Sequence, residues 1–482
     1  MHGEGPGPLN QAIGAWARRD PARLAFIDRD TGVTYAALDR RSGALAAWLA
    51  RHGAAAGQTV ALTLRADMAH IIAALALMRL GCDQVALPSH DPPALRQAVA
   101  ARLRVGLLVG DDAADALPGI AFLPFEPAAI EGEPPPTPPP RMARLILSSS
   151  GTTGRPKLIP LSEADIVAQM ARRTREGRVF YRSISVEHNN ARKYHLGLLS
   201  LGATTVLAHC AALPDLAEAC ARFGIERVTL PPERAAALAD VQARAGAHPW
   251  PAHTSLAVFG AAVAPALRRR LVAEVTPNLV VNYSTTEVGT MTLAGPDDHA
   301  RHPEGVGRPL PGVELRVVDA AGQAVPPGQT GLVQTRAPGM TRGYLDDPEA
   351  QARAFHDGWF QPGDRGWIEP DGTLVFAGRD AEMMMLGTIN IFPAEIERAA
   401  EGFPGVADCA AFALRSPALG DIPALAVVET APGALDAAAL AASCRARLGL
   451  RAPRRVVVVA SLPRNASGKV QRDRLAALAE GG

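Results

Sequence analysis

A chain of 482 residues, 48% hydrophobic and 20% charged with a formal net charge of +1, is too long for one simple core. Its charge balance lacks the basic footprint of a polyanion binder and excludes nucleic acid as a partner. The five cysteines (Cys82, Cys210, Cys220, Cys409, Cys444) form no CxxC pair, which argues against a zinc site or a disulfide framework and fits a reducing compartment.

In chain order, MHGEGPGPLN is polar and rich in Gly and Pro, unlike a signal peptide. The longest apolar run, IIAALALM at 71–78, is far short of a membrane span, so the expected setting is cytoplasmic with no membrane partner. PLNQAIGAWARR and TYAALDRRSGALAAWLARHG have helical spacing, while QTVALTL and RVGLLVG read as strands. The alternation predicts layered α/β structure over residues 10–130. EGEPPPTPPPR (131–141) predicts a stiff exposed connector. MARLILSSSGTTGRPKLIPLSEADIVAQMARR predicts a strand, a polar loop, a strand or turn, and a helix capped by Ser162. Further α/β units run to about residue 310. Short strands and Gly/Pro turns from GVELRVVD onward predict a small β-rich subdomain, and a compact α+β tail follows GTLVFAGRD. The expected fold is α/β: a large N-terminal domain (1–379) of layered α/β subdomains plus a β-rich subdomain, then a small mobile α+β domain (380–482).

The loop SSSGTTGRPK (148–157) has the composition of a phosphate cradle. Gly151 and Gly154 let backbone amides turn inward, and Ser149, Ser150, Thr152 and Thr153 offer hydroxyl donors. Lys157 adds a compact charge. The spacing GxxGxxK is not that of a Walker loop, and no helix begins at the Lys. Of 49 basic residues only Lys157, Lys193 and Lys469 are lysine. This bias suggests that each of the three needs an ammonium rather than a guanidinium.

SSGTTGRPK closely resembles the signature loop of the adenylate-forming superfamily, which comprises acyl- and aryl-CoA synthetases, peptide-synthetase adenylation domains and luciferases. NYSTTE (282–287) is similar to its YGxTE motif, and GVGRPLPGVELRVVD (305–319) to its GxGxxxPG segment. WFQPGDRGWIEPDGTLVFAGRD (359–380) is similar to its WxxTGD…DG…GR stretch, and LPRNASGKVQR (462–472) to its PxxxSGKxxR end. The resemblance spans essentially the whole chain. It implies an enzyme that joins a carboxylate to ATP, with Mg²⁺, giving an acyl-adenylate and pyrophosphate. The acyl group then passes to a thiol, either CoA or the phosphopantetheine of a separate carrier protein, and the enzyme is a monomer or homodimer.

The resemblance also implies roles. The loop Ser149–Lys157 holds the departing β/γ-phosphates, Thr286 touches the α-phosphate, and Glu287 holds Mg²⁺. Tyr283 lies against adenine, and Gly260, Ala261 and Ala262 line it. Asp364 takes the ribose hydroxyls, with Arg379 nearby. Lys469 bridges the acyl carboxylate and the α-phosphate. After adenylation the C-terminal domain rotates about a turn near Asp380–Glu382.

Four places depart from the pattern. Ser284 replaces a Gly, Pro362 a Thr, and Ala381 a usual acidic or Lys hinge residue. In GRDAEMMMLGTIN, Met385 and Thr388 stand where the family has Lys and Gly. Adenylation is therefore better supported than thioester formation.

In amino-acid-activating relatives an aromatic–Asp pair precedes a LLSGAT segment. Here His188 falls on the aromatic and Asn189 on the aspartate, which disfavours an α-amino acid, because its buried ammonium would lack a partner. Lys193 lies one helical turn from Asn189. By the same resemblance Asn190, Asn282, Thr290 and Met291 face the pocket. Such a lining is too polar for a fatty acyl chain. The expected substrate is a small polar acid: a hydroxy- or amino-substituted aryl acid, or an acid with a second anionic group paired to Lys193. The alternatives are transfer of the adenylate to an amine, or a nucleotide-binding relative without turnover.

Overall fold

The computed structural model describes residues 7–29, 31–131, 142–149, 156–173, 178–245, 250–386, 389–416, 420–464 and 470–480. The Pro-rich connector, loop residues Ser150, Gly151, Thr152, Thr153 and Gly154, Thr388 and Lys469 lie outside them.

Two large sheets form the body. The first has six strands, among them Thr59–Thr63, Asp83–Ala86, Leu107–Gly110, Arg144–Ser149 and Lys157–Ser162. The second has nine and includes Val179–Arg182, Ser255–Val258, Leu279–Thr285 and Gly289–Ala294. Most of their strand pairs are parallel. Both sheet faces are covered, so strands such as LLVG and DQVA are buried at every residue. The apolar run at 71–78 belongs to the helix Asp67–Arg79, and each of its residues is buried in the largest core. It is an all-round core helix, as its lack of a polar face dictates. Among the described residues no helix is long and apolar enough to cross a membrane.

The helix Glu163–Ala171 begins at Ser162 with a reciprocal capping box to Asp165, as the sequence predicts. A third, antiparallel sheet holds Glu314–Val318, Gly331–Arg336, Asp364–Ile368 and Leu374–Arg379, in agreement with the expected β-rich subdomain. A fourth contains Met384–Leu386, Ile389–Ile391, Val406–Ser416, Gly420–Glu429 and Arg455–Val458, flanked by the helices Pro393–Ala400 and Ala437–Leu448. The architecture is mixed α/β, with a large N-terminal part and a small C-terminal one.

Among the described residues the core clusters before and after residue 380 share no member. Asp380–Glu382 forms a single 3-10 turn between them. Asp380 pairs with Arg365 on one side, Glu382 pairs with Arg472 on the other, and Ala381 is exposed. Two further links across this seam are polar, Arg398 with Glu304 and the Ala266 N–H with Glu401, while the Phe392 ring packs at Gly378.

Candidate active site

The strands Arg144–Ser149 and Lys157–Ser162 form an antiparallel hairpin whose last paired residues are Ser149 and Lys157. The polar loop thus springs from a closed rung with Lys157 at its exit. The Lys157 ammonium lies 3.4 Å from the Tyr344 hydroxyl and 4.8 Å from the centroid of that ring. Tyr344 in turn donates a 2.8 Å hydrogen bond to Glu287 Oε1. One phenol therefore couples the loop lysine to a buried carboxylate. Burial, and then the Glu287 charge, push the Tyr344 phenol well above its ordinary value, so it remains a donor. Sequence reasoning missed Tyr344. It arrives through tertiary register, because the Leu345 N–H bonds the Leu158 carbonyl and sets TRGYL beside the hairpin.

Thr286 and Glu287 occupy the tight turn between Leu279–Thr285 and Gly289–Ala294. Ser284, where the family motif has Gly, sits at a strand irregularity without a positive φ, so a side chain is accommodated. Tyr283 donates to Asp364 Oδ2, and Arg379 Nε lies 2.9 Å from Asp364 Oδ1. Asp364 and Arg379 face each other across one antiparallel rung. Asp364 is only 1% exposed, so both partners compensate a carboxylate withdrawn from water. Gly260, Ala261 and Ala262 form an exposed strip after Ser255–Val258, with Gly260 at φ 94°. Pro362 precedes Gly363, whose carbonyl accepts from Asp380 N–H.

Behind the turn lies a cavity of about 460 Å³, open mouth included, lined among others by Arg173, Arg182, Lys193, Tyr194, Phe259 and Asn282. Lys193 projects from the helix Asn189–Ser200, confirming the helical spacing with Asn189. Its ammonium bonds Gln169 Oε1 at 3.0 Å and the Thr286 carbonyl at 3.1 Å. Burial pushes its pKa down to about 7, against the pull of Glu287 and with the push of Arg182, Arg172 and Arg173. Gln169 reaches this position because Gly289 (φ 81°) leaves room: a Cβ there would lie 2.7 Å from Gln169 Oε1.

Of the sequence-predicted pocket residues, Asn282 and Thr290 line the cavity with Lys193. Met291 does not. It is the extra residue at the irregularity between the Ser284–Thr290 and Tyr283–Thr292 pairs, and it is fully buried in the main core. His188 caps the helix and stacks at 5.0 Å from His90, outside the cavity lining. Asn189 and Asn190 open the same helix, and their side chains are outside the described set. Arg173, Arg182, Tyr194 and Phe259 went unpredicted, since no motif marks them.

In the small domain Met385 is half-exposed, with its N–H on Asp421. Met384 beside it is buried, as alternation requires.

A large α/β body, a small C-terminal domain and a polar cavity beside one turn match the architecture of an adenylate-forming enzyme. The AMP-binding enzyme model matches residues 13–345, and the model of the AMP-binding enzyme C-terminal domain matches 395–469. The chain belongs to the AMP-binding enzyme family. It is 32% identical to a salicylyl-CoA synthase / salicylate adenylyltransferase of Streptomyces sp, covering 97% of this chain and 93% of that one. It is 29% identical to a sulfoacetate–CoA ligase of Cupriavidus necator, covering 97% of each. The solved structure of an amide bond synthetase from Marinactinospora thermotolerans superposes with a TM-score of 0.87 at 25% identity, over 98% of this chain and 99% of that one.

Proposed function

We propose that the protein activates a small polar carboxylic acid with ATP, forming an acyl-adenylate and pyrophosphate, and then transfers the acyl group to a thiol. The observation that carries this reading is the convergence of Lys157, Tyr344 and Glu287 on the turn whose other side closes the polar cavity. A carboxylate oxygen held in the cavity attacks the α-phosphorus, the bond to the bridging oxygen breaks, and pyrophosphate leaves. Lys157 and the loop from Ser149 to Gly154 neutralise the leaving phosphates. Thr286 orients the α-phosphate from the turn. The donor chemistry of Glu287, a buried carboxylate beside phosphate oxygens, suits Mg²⁺, which would supply charge neutralisation when bound. Asp364 takes the ribose hydroxyls by exchanging its bond from Tyr283, while Tyr283 and the strip Gly260–Ala262 flank the adenine. Lys469 bridges carboxylate and α-phosphate in the adenylating arrangement. The polar seam and the unshared cores support a boundary at 379/380 and rotation about Asp380–Glu382 before thiol attack.

For the acceptor we favour CoA or a carrier-protein phosphopantetheine. A second reading, transfer to an amine, is favoured by Met385: a half-exposed thioether stands where the resemblance gives lysine on the face used for the second step. Acid-dependent ATP–pyrophosphate exchange tests the first half. Product analysis with CoA, then with amines, tests the second. Thioester in the first assay supports the thiol reading, and amide alone replaces it.

A further inference from the structure

We propose that the acid carries a second anionic group, a carboxylate or sulfonate, which docks on Arg182 and Arg173 while its reacting carboxylate faces Thr286. This inference rests on the activation chemistry above and narrows its substrate class.

Arg182 ends the strand Val179–Arg182 and is 2% exposed. Its guanidinium carbon lies 4.5 Å from the ring centroids of both Tyr194 and Phe259. Its Nε is buried without a hydrogen-bond partner. Arg173 stacks on the Tyr194 ring at 4.7 Å, and its Nε is likewise buried without a partner. The Tyr194 hydroxyl and Asn282 Oδ1 are also unpartnered. All four residues line the cavity. Turned over, the Asn282 amide would offer a donor instead.

A buried arginine Nε without a partner is not rare in this chain, Arg96 included, but two other buried guanidinium groups do have acceptors. Arg96 pairs with Asp115, and Arg268 donates to the carbonyls of Val263 and Gly305. Lys193 is matched too, by two neutral acceptors. A cation–π contact is a weaker partner than a charge-assisted hydrogen bond. Withdrawing a cation from water costs more than such stacking returns. The aromatic sandwich therefore does not by itself account for Arg182. An apolar acid would leave methylenes against two guanidinium groups, whereas an anion with oxygens in a plane or tripod would satisfy them with charge-assisted bonds. The sequence reading paired such a group with Lys193. The geometry moves it to the arginines.

The test is ATP–pyrophosphate exchange by the full-length protein with succinate and sulfoacetate, against propionate and salicylate. A dianionic acid is expected to exceed propionate in kcat/KM by at least about 30-fold. Arg182→Met is expected to raise the dianion KM by at least about 30-fold while ATP KM stays within about twofold. Arg173→Gln is expected to raise the same KM by about fivefold, and it provides the test if Arg182→Met does not fold. Exchange with salicylate or propionate but neither dianion overturns the inference and leaves the activation reading standing. An equal loss for propionate and dianion marks a merely structural arginine and also overturns it, as does an unchanged dianion KM in both variants. Silence with every acid, with ATP still bound, overturns the activation reading and the narrower one with it.

Discussion

The two sides of the turn 286–288, to which we assign nucleotide and acid, handle charge in opposite ways. On the nucleotide side, buried carboxylates are already partnered: Asp364 by Tyr283 and Arg379, Glu287 by Tyr344. On the proposed acid side, cations crowd a cavity with no carboxylate among the described residues hydrogen-bonded to them. The first arrangement keeps its geometry before a ligand arrives and exchanges partners on binding. The second has no counter-anion hydrogen-bonded among the described residues, and on the proposed reading its ligand brings the charge. Preorganisation and selectivity are thus separated across one tight turn.

Four substitutions break or sharpen that contrast. The largest effect is expected from Glu287→Gln. It keeps an acceptor for Tyr344 but removes the charge beside the phosphates, and should lower the exchange rate by about 10²–10³-fold. A rate within tenfold of wild type, measured over a Mg²⁺ titration, would remove Glu287 from its assigned role. Asp364→Asn comes next. ATP KM should rise by roughly tenfold or more, and stability should fall by about 2 kcal/mol in urea, because Arg379 loses its anion.

Lys193→Met probes the other side. Acid KM should rise by about tenfold with ATP KM unchanged. It also carries a pH signature. Burial lowers the folded-state pKa of Lys193 to about 7, so between there and its ordinary value the unfolded chain holds a proton that the folded chain has released. Wild-type stability therefore rises with pH across that window, and below it the full penalty of the buried charge remains. The stability advantage of the variant should grow as pH falls from 10 towards 7, by up to roughly 5 kcal/mol over the whole window. A pH-independent difference between the two urea midpoints would contradict the burial argument. The smallest effect is expected for Tyr344→Phe: a three- to tenfold drop, roughly, in exchange rate and about 1 kcal/mol of stability. An unchanged rate would make the link between Lys157 and Glu287 incidental.

The parts of the site legible in the sequence are those that depend on local chain. The strand–loop–strand around Ser149–Lys157 and the Ser162 cap follow from local chain, and Thr286, Glu287, Asp364 and Arg379 were marked by short family motifs, although the rung that pairs Asp364 with Arg379 was not foreseen. Lys193 was legible because lysine is so rare here. Tyr344, Gln169, Arg173 and Arg182 were not, because each reaches the site through tertiary packing rather than a motif of its own. Met291 was misplaced for a different reason. It is the extra residue at a strand irregularity, a local feature that the family motif does not mark, and it packs into the main core while Thr290 lines the cavity.

The seam at residue 380 has a consequence for the life of the molecule in a crowded solution. Its core clusters stop on either side, and half-exposed ion pairs and a backbone–carboxylate bond join the two parts. Water and dissolved salt can take over such contacts as they open. Under the proposed rotation, a small domain released across a surface of this kind would bare few apolar groups beyond Phe392, which packs at Gly378, so swinging would add little hazard of self-association.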